Sequence, residues 1–308
     1  MLHAKMLLRA ALSSGQQKRR RREHKRPESL PRGLRYSKAM RPPAGVVLAY
    51  RRALRAVVGR VSVALEREVF PLLEATLPAP APLDAPRFDA EDDGARTEVR
   101  SRLAAIRDRL LGIDHSATVQ EIGARVATAN AGEFRRILKI DVRAVSPGVA
   151  TQVDEFRKAN VELIKSIPEQ LLDDVSRVVD EGWSRGTRVE VLRKELQQRF
   201  DVSKSRADLI ARDQVLKLNS QITKTRQTNS GIVEYVWTTS HDERVRGNPD
   251  GKYPDSDRDH YSLDGKRFRW DQPPVVNSKT GETAHPGEDF QCRCVAVPVV
   301  PFLDDSDD

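Results

Sequence analysis

The run ARDQVLKLNSQITKTRQ, Ala211 to Gln227, followed by IVEYVWTT, Ile232 to Thr239, decides how the rest of the chain is read. In the first, Val215, Leu218 and Ile222 recur every three or four residues, the period of a helix with one apolar face. After Gly231 the period drops to two. Ile232, Glu234, Val236 and Thr238 alternate with Val233, Tyr235, Trp237 and Thr239, which predicts a strand with one aromatic face. Lys266 to Trp270 and Val295 to Val300 are further strand candidates, separated by long Pro-rich and Asp-rich loops. A short antiparallel sheet set against helices makes this C-terminal domain α+β.

Upstream of that run the pattern is helical. Thr187-Arg188-Val189-Glu190 reads as a capping box opening a helix with Val189, Leu192, Leu196 and Phe200, and a second helix follows from about Ser203 to Thr228. Pro168 suits the first position of a helix carrying Leu171, Leu172, Val175, Val178 and Val179, with Gly182 and Gly186 flanking a break at Trp183. Val149, Val153, Phe156, Leu163 and Ile164 mark another after the Pro147-Gly148 turn. Val119, Ile122 and Val126 mark one from Ser116, interrupted at Gly132, and Val99, Leu103, Ile106 and Leu110 mark one that Gly112 caps. Short connections favour antiparallel neighbours in a bundle.

Towards the N-terminus, Val47, Tyr50, Leu54, Val57, Val61 and Leu65 make one amphipathic helix, ended or kinked at Pro71. A lone apolar stripe has to be covered, so this helix is expected to pack back on the body. The Pro78 to Pro86 stretch is a stiff linker. The layout is therefore a basic tail over 1–45, an amphipathic helix over 46–75, a Pro-rich linker over 76–92, a helical region over 93–160, an α+β domain over 161–300 and an acidic tail over 301–308.

Charge is segregated along the chain. Residues 1–60 hold 17 lysines and arginines against two acids, whereas the remainder holds 36 against 43. The tail concentrates Lys18, Arg19, Arg20, Arg21, Arg22, Lys25 and Arg26. Such an arm neutralises phosphates, or meets an acidic protein surface, without reading sequence, so double-stranded DNA is a candidate partner for residues 1–60. Aromatic residues do not alternate with these cations, which argues against base stacking on single strands. No run of about 18 apolar residues occurs, so no membrane partner is expected. Arg9 breaks the short apolar run at the N-terminus, which argues against a secretory signal.

After the strand come His241-Asp242-Glu243-Arg244-Val245-Arg246, then His260-Tyr261-Ser262-Leu263-Asp264-Gly265, and finally His285-Pro286-Gly287-Glu288-Asp289-Phe290-Gln291-Cys292-Arg293-Cys294. Together with Ala211, Arg212, Gln214, Lys217 and Asn219 on the helix and Tyr235, Trp237 and Thr238 on the strand, this ordered set resembles the C-terminal domain of the phage Mu protein F-like family. These are minor head proteins, also called SPP1-type head morphogenesis proteins. The resemblance covers about Ile164 to Pro298, with one departure: the loop Gly247 to Asp259 separates the Asp242-x-Arg244 turn from His260.

The resemblance implies a non-enzymatic minor head component of a tailed phage or prophage. It implies that the protein joins the head near the portal, in the host cytoplasm during assembly and then in the virion. Portal protein and major capsid or scaffolding protein are its implied partners. The alternatives are a metal-dependent nuclease-like or toxin-like enzyme, and a non-specific DNA-binding protein. Only Pro301 to Asp308 follow the domain, so no separate toxin domain is expected after it.

The two cysteines, at C-x-C spacing, form no disulfide framework. Thiolate and imidazole are good zinc ligands, which makes Cys292 and Cys294 with His285 and His260 a candidate zinc site, His241 being a substitute; the alternative is two small cysteines packed as hydrophobes at a strand start. Asp255-Ser256-Asp257-Arg258-Asp259 opens like a calcium loop, but His260 and Lys266 occupy the positions of the obligatory Gly and Glu, which excludes an EF-hand. Asp242 with His260 offers a carboxylate–imidazole pair with Arg244 holding an anion; the alternative is that Asp242, Arg244 and Arg246 form a hydrogen-bonded turn. No phosphate loop, nucleophile elbow or H-E-x-x-H helix occurs.

Overall fold

A computed structural model describes residues 40, 42–76, 93–139, 142, 145–185 and 187–300. The basic tail with Lys18 to Arg26, the proline linker and the acidic tail lie outside the described residues. The elements in order are α1 (Ala44–Glu68), α2 (Phe70–Thr76), α3 (Asp93–Leu111), α4 (Ser116–Leu138), α5 (Val149–Ser184), α6 (Val189–Asn229), β1 (Glu234–Thr238), β2 (Arg267–Arg269) and β3 (Val295–Pro298). The fold is α+β, as the change of period at Gly231 predicts.

α6 is the axis of the helical part. It packs against α1 and α5, while α4 lies on α5 and α6 and α3 lies on α5. Its buried apolar residues, Val189, Leu192, Leu196, Phe200, Ala207, Ala211, Val215, Leu218 and Ile222, keep one face over 41 residues. The break expected between Phe200 and Ser203 does not form. Asp201 is held within the helix, its carboxylate accepting from Gln197 and Lys204 and its carbonyl from the Ser205 hydroxyl. The capping box is also corrected: α6 starts at Val189 behind Arg188 in an extended conformation, and no side chain caps it.

α5 corrects the reading of Pro168, which lies inside a continuous 36-residue helix rather than at the start of one. An interior proline costs roughly 3 kcal/mol. Around it Ile164, Ile167, Leu171 and Leu172 are all buried, and each is worth about 1.5–3 kcal/mol on burial. Packing therefore overrides the break. The helix also runs through Trp183 to Ser184, and α4 runs through Gly132 to Leu138, so those two interruptions are absent as well.

α1 covers the body as its stripe demands. Tyr50, Leu54, Val58, Val61 and Leu65 are fully buried in the same core as α5 and α6. The Tyr50 hydroxyl donates to Asn160 Oδ1 at 2.9 Å, and Asn160 Nδ2 donates to Gln214 Oε1 at 3.2 Å, so one polar chain stitches α1, α5 and α6. A second buried chain joins α4 to α6. Asn130 Nδ2 donates to Asn219 Oδ1 at 3.0 Å and Thr223 Oγ1 at 2.8 Å, while Arg226 Nη1 donates to Asn130 Oδ1 at 2.7 Å. Burial brings Arg226 down to about 10.

The sheet has strand order β2-β1-β3, antiparallel throughout, with Tyr235 opposite Phe268 and Trp237 opposite Ala296. Tyr235 and Trp237 point into a small core with Leu263, Trp270, Val276 and Ala284, which also holds Cys292 and Cys294. The aromatic face of the strand is thus a core face. No helix among the described residues is long and apolar enough to cross a membrane.

Candidate metal centre

The loops between the strands are anchored on α6 by the polar residues of its last turns. Arg212 Nη2 donates to Gln291 Oε1 at 2.7 Å, and the Gln291 backbone N–H donates to Asp213 Oδ1 at 2.5 Å. The Ser220 hydroxyl donates to the Pro286 carbonyl, and Trp270 Nε1 donates to Gln227 Oε1 at 3.0 Å. Gly287 is required here. Its φ is +87°, and a Cβ on it would sit 2.9 Å from Ser220 Cβ, inside contact distance.

This anchoring brings His260, Cys292 and Cys294 together, all buried. His260 Nδ1 lies 3.6 Å from Cys292 Sγ and 3.7 Å from Cys294 Sγ. The other ring nitrogen, Nε2, lies 2.9 Å from Asp289 Oδ2. Cys292 Sγ accepts from the backbone N–H of Gly287 at 3.3 Å and of Cys294 at 3.4 Å. The buried Trp237 Nε1–H has no other acceptor and bears on the Cys294 sulfur, where it favours the thiolate. Both cysteines are free thiols.

The two sulfurs interact closely enough to share one negative charge. The hydrogen bond from Cys294 and the neighbouring His260 hold Cys292 well below the usual thiol range. The same charge on Cys292, together with burial, pushes Cys294 up. Burial alone would lower His260, but the hydrogen bond to Asp289 and the sulfur of Cys292 raise it to about 9.

Asp289 had no role in the sequence reading and is the hub of this region. It also receives Arg246 Nη1 at 2.7 Å, Arg258 Nη1 and the Phe290 backbone N–H. Burial would raise its carboxyl, but His260 and Arg246 bring it below the ordinary value. The signal was present in the acidic pair Glu288-Asp289 just before the cysteines. Nothing in the spacing, however, distinguished a buried carboxylate from a solvated one.

The remaining site residues go elsewhere. His285 does not join the sulfurs: its Nδ1 lies 2.8 Å from the Tyr235 hydroxyl, and its ring packs on Trp270 with centroids 4.8 Å apart. Its backbone N–H donates to Glu288 Oε2, and burial lowers its ring below the usual value. His241 pairs with Asp264 at 2.9 Å. Asp242 does not meet His260. It accepts from the Arg244 backbone at 2.9 Å and from both terminal nitrogens of Arg293, with Nη2 at 2.7 Å. The turn at Asp242 and Arg244 therefore forms, with Arg293 as its side-chain partner, whereas Arg246 reaches Asp289 and the Phe290 carbonyl.

A helical bundle carrying a small antiparallel sheet, whose loops are gathered by a buried His/Cys cluster, is the class of protein defined by this geometry. Residues 173–297 match the family model described as Phage Mu protein F like protein. A Haemophilus influenzae (strain ATCC 51907 / DSM 11121 / KW20 / Rd) protein described as "Uncharacterized protein" is similar, at 37% identity over 155 residues. These residues are 50% of this chain and 31% of that relative's length. No solved structure matches the chain.

Proposed function

We propose that this protein is a head morphogenesis component of a tailed phage or prophage. In this reading it is a non-enzymatic minor head protein that assembles near the portal. The observation that carries it is the family match over 173–297, the segment that holds all of α6, the clasped loops and the sheet up to Val297. Portal protein and major capsid or scaffolding protein are the partners this reading names. The virion head is the destination, reached through the host cytoplasm.

The basic arm supplies the second element of the reading, contact with packaged double-stranded DNA. Its support is the excess of 17 cations over two acids in residues 1–60. A phosphate-neutralising arm gives affinity that falls steeply with salt. Deleting residues 1–43 is expected to flatten that salt dependence while leaving the helical body folded.

The non-enzymatic reading is supported by how the site residues are engaged. Asp242 is held by Arg293 and Arg244, His241 faces Asp264, and His285 faces Tyr235. Quantitative mass spectrometry of purified heads, with crosslinking, tests the proposal. A few copies per particle, crosslinked to portal or inner capsid surface, are expected. Absence from both heads and assembly intermediates would overturn it.

A further inference from the structure

We propose that Cys292, Cys294 and Nδ1 of His260 hold one zinc ion, with Asp289 positioning the imidazole from behind. The ion clamps the loops of the C-terminal sheet together. This goes beyond the head-assembly reading and does not depend on it.

Distance is the first argument. Zinc bonds of about 2.3 Å to sulfur and about 2.05 Å to nitrogen, at a tetrahedral angle, put the two ligand atoms about 3.6 Å apart. The observed separations from His260 Nδ1 are 3.6 Å to Cys292 and 3.7 Å to Cys294. As a protonated ring His260 has one Nδ1–H to give, and one linear hydrogen bond reaches one sulfur; with that proton released, Nδ1 offers one lone pair. A metal on that lone pair satisfies the nitrogen and both sulfurs at once.

The surroundings are those of a thiolate site. Two backbone N–H groups already point at Cys292 Sγ, and the indole N–H of Trp237, otherwise unpartnered, bears on Cys294. Donors aimed at sulfur favour the anionic ligand. Asp289 on Nε2 fixes the tautomer that leaves Nδ1 free to coordinate, as metal-bound histidines commonly require. The two arginines and the backbone N–H on Asp289 fix the carboxylate in turn.

The fold also has a need for such a clamp. Between β1 and β3 the regular structure is the three residues of β2, and the core beneath is a handful of side chains. Small, loop-rich units of this kind are commonly stapled by a disulfide or a metal. Both cysteines are free, so no disulfide closes these loops.

The test uses the full chain and zinc itself. Elemental analysis of the purified protein is expected to give one zinc per chain, which a strong chelator removes and added Zn2+ restores. Alkylation of Cys292 and Cys294 should be blocked in the zinc form and open after chelation. Cobalt substitution should produce the near-ultraviolet charge-transfer band of thiolate coordination. His285→Gln should keep its zinc, whereas Cys292→Ser and His260→Ala should weaken binding at least tenfold. Asp289→Asn should weaken it about 10–100-fold while keeping the cobalt–thiolate band, as a positioning residue would.

Failure of the wild-type chain to take up zinc, with both thiols freely alkylated or joined as a disulfide, would overturn the proposal. That outcome needs no variant to fold. Zinc retained by a Cys292→Ser/Cys294→Ser double variant would mark it as adventitious. Zinc lost by folded His285→Gln would overturn the three-donor assignment. All of these readouts are made on purified protein, so they stand apart from any result on heads.

Discussion

Asp289 meets two arginines, one histidine and a backbone N–H with 2% of its side chain exposed. Removing one partner of a buried charge network leaves the others uncompensated, at about 3–5 kcal/mol. Asp289→Asn is therefore expected to cost about 3 kcal/mol in urea unfolding of the chelator-treated chain. Asp174, whose pair with Arg177 is exposed, is the control: Asp174→Asn should cost no more than about 0.5 kcal/mol. Equal costs for the two would remove Asp289 from its central place. Asp242 makes a pH prediction. The Arg293 guanidinium holds its carboxyl below the ordinary value. A group depressed in the folded state stabilises above its unfolded pKa, about 3.9, and loses that contribution as pH falls through the lower folded value. Asp242→Asn should flatten the stability curve in that acidic window and leave it unchanged in shape near neutrality.

At the scale of elements, Pro168 and Tyr50 make opposite predictions. Pro168→Ala restores the N–H that α5 lacks, against a penalty of roughly 3 kcal/mol for proline, and loses about two buried methylenes at about 0.8 kcal/mol each. A net gain of about 1 kcal/mol is expected as a higher urea midpoint; a loss would mean that the ring's packing outweighs the missing hydrogen bond. Tyr50→Phe leaves Asn160 Oδ1 without its donor, at a cost of about 1–3 kcal/mol, with α1 still in place by circular dichroism. These two residues also show what was legible. The stripes of α1, α5 and α6 and the strand after Gly231 were readable because burial imposes period on sequence. Pro168, Gly132 and the Asp201 region were misread because local breakers cost less than the packing that surrounds them. The capping box was misread because Thr187 lies outside α6, which Arg188 precedes in extended form. In the site, Cys292, Cys294 and His260 were legible from residue type. The place of His285 and the role of Asp289 were not, since both depend on which loop crosses which, and the spacing carries no record of that.

At the scale of the molecule, α6 builds the bundle core with one face and anchors the C-terminal lobe with polar side chains on another. Ala211, Val215, Leu218 and Ile222 face the bundle, while Arg212, Asp213, Ser220 and Gln227 receive the C-terminal loops. No linker separates the two. Native-state hydrogen exchange should therefore find the amides of β1 and those of α6 near Val215 opening in the same event, with similar dependence on denaturant. Exchange of β1 at a much lower free energy would show that the lobe opens alone.

An unbroken helix of 41 residues is about 60 Å long. With the loops gripping its final turns and α1 lying along it, tension applied at the loops travels down a rod instead of bending a joint. α6 is a lever whose two ends move together, so anything that seizes one end of it sets the orientation of the other.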